Sequence, residues 1–457
     1  MSTLTVDLDL VKKYNVAGPR YTSYPPATQF TDKVRWAEVQ ERIAQSQDAA
    51  RGISLYFHLP FCESLCWYCG CTTVITTQHS QSAVYLQYLE KEMDAMKRLV
   101  NPDRKAVQLH FGGGTPTFLS PREIRKLGGL IRQRFQYASD IEAGVEVDPR
   151  RLTREHVKAL CDAGFNRASV GVQDYDPVVQ HAVHRIQPRE QTEQVIAWLR
   201  EEGFASVNVD LIYGLPHQTI ESFNNTIRAI LEIKPDRLAV FNYAHVPWIK
   251  PAQKILEDGL PTPELKLQLL KLVIETLTNE AGYVYIGMDH FAKPTDELAV
   301  AQANKTLQRN FQGYSTRGGT DIYAFGMSSI SQAESVYWQN EKELKPYYAA
   351  LDAGQAPLAK AYLMTDDDKV RRTTIMRLMC DLGLDYAAMS KLLNVDFQSY
   401  FASELGSLVD LEIDGLLERE DGGMRVTDMG RMFIRNIAMK FDAYLPTEKE
   451  RRFSKTV

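Results

Sequence analysis

The chain has 457 residues, of which 44% are hydrophobic and 24% charged, a composition typical of a soluble globular protein with room for two or three domains. Its net charge of -5 and its pI near 6.1 argue against a general nucleic-acid-binding protein. No run of about 18 apolar residues is present, and the N-terminus lacks the apolar segment of a secretory signal, so the sequence predicts a cytoplasmic protein without a membrane span.

The first 50 residues are predicted to form an N-terminal strap. A short helical pattern lies near 34–47, and before it runs Gly18-Pro-Arg-Tyr-Thr-Ser-Tyr-Pro-Pro26, whose three prolines disfavour a regular helix. The same stretch carries Arg20, Tyr21 and Tyr24, which are suited to binding anions and stacking on rings. The strap is therefore either an extended segment lying on the surface or a loop that contacts substrate.

A strand–helix alternation occupies residues 51–285. Six segments have the composition of strands: 53–58, 107–111, 144–148, 168–173, 207–213 and 238–243. Helical patterns lie between or after them, near 86–100, 121–135, 152–163, 188–203, 219–232 and 263–281. This order is typical of parallel βα units, and six units predict an α/β fold with an incomplete (β/α)6 barrel rather than a closed eight-stranded one.

Four of the six cysteines lie within ten residues, in the loop after the first strand. Cys62, Cys66 and Cys69 have the spacing C-x3-C-x2-C, which can hold three irons of a cubane [4Fe–4S] cluster and leave the fourth iron open to another ligand. The alternative is a structural zinc site with Cys71 as the fourth ligand. Such sites usually use two separated cysteine pairs, and no second pair is present. The clustering indicates a reducing compartment rather than a disulfide framework.

Polar residues follow the other strands at their carboxyl ends, where the active sites of parallel barrels lie. Gly112-Gly-Gly-Thr115 follows the second strand and is either a simple turn or a backbone that approaches a ligand closely. The residues at or near the next strand ends are Glu146, Gln173, Asp210 and Tyr243. We expect all of them to face one mouth.

Buried carboxylates are rare unless they are paired or bind a ligand. Glu146 and Asp210 could accept from ribose hydroxyls or an amine, and Arg185 could hold a carboxylate bidentately. The alternative for these residues and for Gln173 is a set of internal salt bridges and hydrogen bonds between strands. Of the histidines near the strands, we predict that His110 and His245 are core residues, and we leave His58 and His290 open between core and site.

The remaining chain is predicted to form two segments. Residues 286–360 are less regular and are expected to complete the barrel and cover the site. Residues 361–457 are mostly helical, and the order helix, helix, hairpin over 385–426 resembles a winged helix. Because acidic and basic residues are mixed there, with no basic stripe, we predict a packing or lid role rather than nucleic-acid binding.

Together these motifs resemble those of the bacterial oxygen-independent coproporphyrinogen III oxidases (dehydrogenases), a family of the radical S-adenosylmethionine (SAM) superfamily. The resemblance runs essentially end to end and rests on 18–25, Tyr56, 61–71, 112–117, 146–150, 171–174, 210–216, 241–245 and 309–314. The haem chaperones of the same superfamily share the barrel. They typically lack the strap and the second cysteine of Cys69-Gly-Cys71, so the oxidase family is favoured.

The resemblance implies a [4Fe–4S] cluster on Cys62, Cys66 and Cys69, and two SAM molecules. It places the first SAM, on the open iron, against Tyr56, Gly113, Glu146 and Ile330. It places the second against Tyr68, Gly114, Thr115, Gln173, Arg185, Asp210 and Ala244. Family members often have phenylalanine at the position of Tyr68, and a tyrosine ring can stack on a ligand equally well.

The implied reaction converts the ring A and ring B propionates of coproporphyrinogen III to vinyl groups, giving protoporphyrinogen IX in haem biosynthesis without oxygen. A 5′-deoxyadenosyl radical from SAM removes a hydrogen from the propionate β-carbon, and CO2 and one electron are then lost. The implied catalytic residues are Tyr56 and Glu146. Arg20 and Arg309 are our candidates for binding the substrate carboxylates. The implied partners are a reductant protein and an electron acceptor, and the family suggests a monomer.

Overall fold

The computed structural model describes residues 4–445, so the outer ends of the predicted segments 1–50 and 361–457 lie outside the described residues. Its strands are β1 (Ile53–Leu59), β2 (Phe61–Cys62), β3 (Val74–Ile75), β4 (Ala106–Gly113), β5 (Tyr137–Val147), β6 (Arg167–Gln173), β7 (Ser206–Tyr213), β8 (Arg237–Asn242), β9 (Val284–Gly287), β10 (His290–Ala292), β11 (Gln308–Asn310), β12 (Gly313–Ser315), β13 (Asp321–Phe325), β14 (Ile330–Ala333), β15 (Val336–Asn340), β16 (Leu358–Leu363), β17 (Gly383–Asp385), β18 (Leu417–Glu420) and β19 (Gly423–Val426).

The helices begin where side chains can cap their free N–H groups. Ser120 and Thr219, for example, each accept from the backbone N–H three residues further on. The helices are α1 (Leu8–Tyr14), α2 (Trp36–Ala44), α3 (Ser80–Lys97), α4 (Pro121–Arg132), α5 (Arg154–Asp162), α6 (Pro177–Ala182), α7 (Arg189–Glu201), α8 (Ile220–Ile233), α9 (Pro263–Glu275), α10 (Glu297–Ala303), α11 (Leu344–Asp352), α12 (Asp366–Asp381), α13 (Tyr386–Leu393), α14 (Phe397–Tyr400), α15 (Ala402–Gly406), α16 (Val409–Ile413) and α17 (Ile434–Met439).

One twisted sheet organises the molecule. Its order is β16-β15-β14-β13-β1-β4-β5-β6-β7-β8-β10-β9, and the run from β13 to β8 is parallel throughout. The predicted α/β fold with six parallel strands is therefore confirmed. A further parallel strand, β13, pairs with β1 and extends the run to seven. Its five residues are all buried, and its partner lies more than 260 residues earlier, so no local pattern could reveal the pairing.

Helices cover the outer face of the parallel strands. In α3 the predicted apolar stripe is buried at Leu86, Leu89, Met93 and Met96. Apolar residues of the strands, such as Leu55 and Leu109, are buried in the same core. Covering the sheet in this way removes apolar surface from water, which is the main favourable contribution to folding. Polar residues on the opposite strand faces are left to line the barrel interior.

The segment 286–360, expected to be less regular and to complete the barrel, consists of short strands, the helices α10 and α11, and loops. It contains short strands that extend the sheet beyond β13 in antiparallel order. It also contains the hairpin β11–β12, which reaches across the interior so that Gln312 bonds with Ser54 of β1. Beyond α12, a three-stranded sheet β17-β19-β18 accompanies the short helices α13–α16, which fits the predicted winged-helix resemblance.

The strap does not lie on the surface. Tyr21 and Tyr24 are almost fully buried, and the hydroxyl of Tyr21 donates to Asp442 at 2.9 Å. Arg435 of α17 donates to the carbonyl of Pro19 at 3.0 Å and also to that of Gly18. The C-terminal helix thus fixes the backbone of the strap. Between residues 4 and 445, no helix is long and apolar enough to cross a membrane.

Candidate active site

The cysteine loop follows the carboxyl end of β1, between β2 and β3. The N–H of Cys69 donates to the carbonyl of Cys66 at 3.0 Å, which closes a tight turn. The loop faces a cavity of about 340 Å³, here named the cysteine cavity. Cys62, Cys66 and Cys69 all line it, and so does Cys71.

The donor set around this cavity fits an iron–sulfur cluster. Cys62 Sγ lies 3.3 Å from Thr115 Oγ1, and Cys66 Sγ accepts from Arg150 Nη2 at 3.5 Å and Arg185 Nη1 at 3.6 Å. Such donors stabilise thiolates and tune a bound metal centre. Among residues 4–445, no three His, Cys, Asp or Glu side chains converge on a single-ion site. The three thiols instead surround a cavity, an arrangement that suits three corners of a cubane.

The thiols differ in acidity. Burial raises the pKa of Cys62 to about 11. A hydrogen bond from Cys71 lowers the pKa of Cys69 to about 6, against the opposing effect of burial. Cys71 is exposed and lines the cavity together with Cys69.

The glycine segment brings the end of β4 against the cysteine loop. A Cβ at Gly112 would lie 2.8 Å from Glu146 Oε1, and one at Gly114 would lie 2.5 Å from the carbonyl oxygen of Pro60. Gly113 has φ near +110°, and its N–H donates to Glu146 Oε2 at 3.2 Å. Gly113 and Gly114 both line the cavity, so the segment is more than a simple turn.

The carboxylate of Glu146 contacts His110 and the N–H of Gly113. His110 Nε2 lies 3.4 Å from its Oε1, and Tyr56 stacks on His110 with the rings 5.9 Å apart. Burial is the largest single influence on the pKa of Glu146 and raises it, but His110, the N–H of Gly113 and His58 together lower the pKa overall. Glu146 is therefore a carboxylate at neutral pH and lines the cysteine cavity.

The prediction that His110 and His245 are core residues is wrong. His110 lines an interior cavity of about 230 Å³ below the cysteine cavity. His245 is half-buried, with its Nδ1 3.2 Å from the hydroxyl of Tyr243 and its Nε2 3.4 Å from Glu257. Neither histidine is fully buried: His110 lines the interior cavity, and His245 lines another cavity together with Tyr243.

The two histidines left open differ from each other. His58 Nδ1 lies 3.2 Å from the hydroxyl of Tyr56, and its Nε2 lies 2.9 Å from the carbonyl of Thr72, so its ring ties β1 to the cysteine loop. His290 lines the interior cavity with a buried Nδ1 that has no partner. Burial lowers the pKa of His290 to about 4, so it is neutral at pH 7.

Arg185 and Gln173 present unused polar atoms to the cysteine cavity. Arg185 Nη2 donates to the carbonyl of Gly171 at 2.7 Å and its Nη1 pairs with Asp148 at 3.2 Å, but its buried Nε has no partner. Gln173 has φ near +70°, and its buried Oε1 also lacks a partner. Buried polar atoms are rarely left unmet, so both suit contact with a ligand.

Asp148 was missed as a site residue by the sequence analysis. It pairs with both Arg185 and Arg150, and these cations hold its pKa at about 2 although burial opposes them. Its position two residues after Glu146, at the end of the same strand, was the signal that could have identified it.

Asp210 sits among neutral donors. It accepts from Ser169 Oγ and from Asn208 Nδ2, each at 2.7 Å. No salt bridge to Asp210 is found in the described structure, so the alternative of an internal salt bridge does not describe this residue. Burial raises its pKa to about 6.

The raised pKa of Asp210 predicts a pH-dependent contribution to stability. The folded state holds the proton more tightly than the unfolded state, whose aspartate pKa is about 3.9. Protonated Asp210 therefore stabilises the folded state fully below about pH 4. This stabilisation, about 3 kcal/mol, is lost as the pH rises through about 6. Urea unfolding of the cofactor-free protein and of Asp210→Asn at pH 4.5, 5.5 and 7 should show wild-type stability falling relative to the variant. A constant difference would contradict the prediction.

The structure brings most of the predicted cofactor residues to the cysteine cavity. Those that line it are Tyr68, Gly113, Gly114, Thr115, Glu146, Gln173, Arg185 and Asp210. Tyr56, Ala244 and Ile330 do not line it. Tyr56 lies behind Glu146, Ala244 is exposed, and Ile330 packs beside Phe30, Tyr337 and Met364.

The two candidate substrate arginines also lie away from the cysteine cavity, but they lie next to each other. Arg20 forms an ion pair with Asp289. Arg309 Nη2 donates to the carbonyl of Arg20 at 3.2 Å, and its guanidinium stacks over the ring of Tyr314. The strap and the β11–β12 hairpin thus place two cations together.

Comparison with known proteins identifies two matching family models. The model of the radical SAM superfamily matches residues 56–230, and that of the HemN C-terminal domain matches residues 364–433. The first includes the cysteine loop and the strands from β4 to β7. The second includes all of α12 and the winged-helix-like unit.

Full-length relatives extend the similarity to the whole chain. The oxygen-independent coproporphyrinogen III oxidase of Synechocystis is 44% identical over 100% of this chain and 99% of its own length. The enzyme of the same name from Escherichia coli K12 is 45% identical over 99% of this chain and 98% of its own. A solved structure of coproporphyrinogen III oxidase (HemN) from Escherichia coli, described as a radical SAM enzyme, superimposes with a TM-score of 0.92 at 44% identity, covering 97% of this chain and 100% of that one.

Proposed function

This chain belongs to the oxygen-independent coproporphyrinogen III oxidases of the radical SAM superfamily, and on that premise we propose that it decarboxylates the ring A and ring B propionates of coproporphyrinogen III to vinyl groups in haem biosynthesis. The observation that carries the proposal is the cysteine cavity. Three cysteines of a C-x3-C-x2-C loop line it together with the polar ends of β5, β6 and β7. This is the carboxyl edge of a parallel sheet, where such enzymes place their chemistry.

Cys62, Cys66 and Cys69 would hold the [4Fe–4S] cluster. When bound together with SAM, the cluster would supply the one-electron reduction that starts radical chemistry. The chain's own contribution is to position the ligands and exclude water. Glu146 is ionised and can accept from a ligand amine or hydroxyl while His110 and the N–H of Gly113 hold it in place.

A second SAM would be held by Tyr68, Gly114, Thr115, Gln173, Arg185, Asp210 and Ala244. The unpartnered Arg185 Nε and Gln173 Oε1 support this assignment, since a ligand with a carboxylate and an amine would satisfy both. The pKa of Asp210 near 6 leaves it able to donate or accept near neutral pH.

Arg20 and Arg309 would bind substrate carboxylates near the strap. Asp289 orients Arg20 and the ring of Tyr314 supports Arg309, so both guanidinium groups are preorganised. The remaining partners are a reductant protein and an electron acceptor. We propose a cytoplasmic monomer.

One anaerobic assay tests the function. Protein reconstituted with iron and sulfide is mixed with reductant, SAM and coproporphyrinogen III, and the porphyrins are measured by fluorescence after oxidation. We expect protoporphyrin together with 5′-deoxyadenosine. SAM cleavage without protoporphyrin would indicate a radical SAM enzyme acting on another substrate. Tight haem binding without either product would indicate a haem chaperone.

Replacing Arg20 with alanine is expected to reduce turnover about tenfold or more, because a charge-assisted hydrogen bond to a substrate carboxylate is lost. Iron content and SAM cleavage should stay at the wild-type level. The matched control is Arg35→Ala, which removes an exposed arginine that pairs only with Glu38 near the start of α2. Loss of the cluster in Arg20→Ala would mean that the strap is structural and would exclude the substrate role.

A further inference from the structure

A short segment after β8 borders the cysteine cavity. Residues 246–256, here named the rim segment, follow the carboxyl end of β8, at the same edge of the sheet as the cysteine loop after β1. Lys250 Nζ donates to the carbonyl of Cys71, and Gln253 Nε2 donates to that of Tyr68 at 3.0 Å. Because Cys71 and Tyr68 both line the cysteine cavity, the rim segment directly contacts the wall of that cavity.

The rim segment is fixed on its inner side. Gln253 is fully buried, and its Oε1 accepts from the N–H of Val246 at 2.6 Å. Leu256 is buried in an apolar cluster against which Trp67 and Tyr68 of the cysteine loop pack. Two prolines within the segment restrict its backbone further. The segment is therefore anchored to the cysteine loop, and its outer surface is held in place.

The outer side of the rim segment is apolar and exposed. Trp248 and Ile249 are each 65% exposed, and Ile255 is 60% exposed. The other four tryptophans of the chain are buried or partly buried. Single exposed apolar residues are common on protein surfaces, but large ones grouped on one anchored segment indicate a binding surface.

The charges of the rim segment are all positive. Lys250 and Lys254 are its only charged residues, and neither forms an ion pair with a carboxylate between residues 4 and 445. The carboxylate of Glu257, just beyond the segment, lies 3.4 Å from His245 Nε2 instead. An apolar surface with two unpaired cations suits an apolar ligand that carries carboxylates.

The substrate of the proposed function has this chemistry, and its body does not fit the cysteine cavity. A tetrapyrrole is an apolar ring system with carboxylate arms at its edge. The cysteine cavity measures about 340 Å³, near the lower limit of the roughly 300–1,000 Å³ that holds one drug-sized ligand. The cluster and SAM are proposed to occupy it. One arm of the tetrapyrrole can then enter, whereas the ring system must lie outside the mouth.

We propose that the rim segment binds the ring system of the tetrapyrrole at the mouth of the cysteine cavity. This inference rests on the proposed function. Trp248 and Ile249 pack on the apolar face of the rings, and Lys250 and Lys254 attract carboxylates that are not reacting. Because the segment contacts the cavity wall, a propionate of the same molecule reaches into the cavity.

The test measures binding of coproporphyrin III, the stable oxidised form of the substrate, to the cluster-containing protein by fluorescence titration. In Trp248→Ser we expect the Kd to rise about tenfold, because a large aromatic contact is lost. Trp248→Phe, which keeps an apolar ring, should recover most of the loss. The matched control is Ile413→Ser on α16, which removes a side chain that is 75% exposed and should leave the Kd unchanged.

Turnover separates a binding effect from a structural one. With dithionite as the reductant, Trp248→Ser should raise the KM for coproporphyrinogen III about tenfold and leave kcat, iron content and thermal midpoint near wild type. Lys254→Gln should weaken binding of coproporphyrin III and make that binding less dependent on salt, because one exposed cation is removed.

Three outcomes overturn the inference. Unchanged Kd and KM in Trp248→Ser and in Ile249→Ser would show that the rim segment does not hold the ring system. Lower turnover with reduced flavodoxin, with Kd and dithionite-driven turnover unchanged, would assign the rim segment to a reductant protein. Loss of iron in Trp248→Ser would mean that the side chain supports the cysteine loop.

The proposed function fails separately from this inference. If Trp248→Ser weakens porphyrin binding but the wild type forms no protoporphyrin in the anaerobic assay, the activity is wrong and the rim segment still binds a tetrapyrrole. If the wild type turns over and Trp248→Ser keeps both its Kd and its KM, only the rim assignment is wrong.

Discussion

Cys69→Ala is expected to lose the cluster and all SAM cleavage while remaining folded. Cys69 is one of three thiols that surround the cysteine cavity, and its low pKa marks it as the most readily ionised of those whose pKa is shifted. With only two cysteine ligands left, we expect the [4Fe–4S] cluster to dissociate from the protein. The iron content should fall from about four per chain to near zero, and 5′-deoxyadenosine should fall to background.

Two other cysteines provide the controls for this loss. Cys161→Ala, on α5 outside the barrel, should keep full iron content and activity, because its thiol only donates weakly to the carbonyl of Glu202. Cys71→Ala should keep the iron while altering SAM cleavage, since Cys71 lines the cavity without being a ligand in our assignment. Retention of iron and SAM cleavage in Cys69→Ala, or loss of iron in Cys71→Ala, would show that the ligand assignment is wrong.

Arg104→Met is expected to destabilise the fold by about 3 kcal/mol, the low end of the range for removing one partner of a buried ion pair, because Asp321 keeps Arg51 at 3.3 Å. Arg104 is fully buried, pairs with the buried Asp321 at 2.8 Å and donates to the carbonyls of Ser46 and Arg51. It therefore joins the start of β13 to the chain entering β1. Urea unfolding of the apoprotein would measure the change in free energy.

An exposed ion pair gives the matched comparison. Lys91 and Asp352 lie 2.6 Å apart, with about half of each side chain exposed. Asp352→Ala should change the free energy of unfolding far less than Arg104→Met, because solvent screens the charges of an exposed pair. Equal effects of the two substitutions would show that burial does not decide the value of the Arg104 pair.

The strand ends that form the cysteine cavity could be predicted from the sequence because their signals are local. The composition of a segment such as 207–213 predicts a strand without any long-range information. In a series of parallel βα units, the carboxyl ends of all strands then lie at one edge of the sheet. This rule assigned Glu146, Gln173 and Asp210 correctly to one mouth. It was wrong for Tyr243, which lines a different cavity together with His245. Asp148 was not predicted to be a site residue, because it lies one residue beyond β5 and because its role depends on ion pairs with Arg150 and Arg185.

The histidines show where local reasoning fails. His110 lies within a buried strand, so its sequence context resembles that of a core residue. Which face of the strand meets the interior cavity depends on the curvature of the whole sheet. That curvature is set by neighbouring strands and helices far away in the chain.

Short-range spacing was enough to predict the parallel α/β architecture and to place the cysteine loop and the polar strand ends at one edge of the sheet. The tertiary structure was needed to show that β13 joins the sheet beside β1 and that Arg435 of the C-terminal helix fixes the strap. Those features join residues separated by hundreds of positions. Contacts of that kind depend on how the whole chain packs, and they produce no periodic pattern of residues within a single segment.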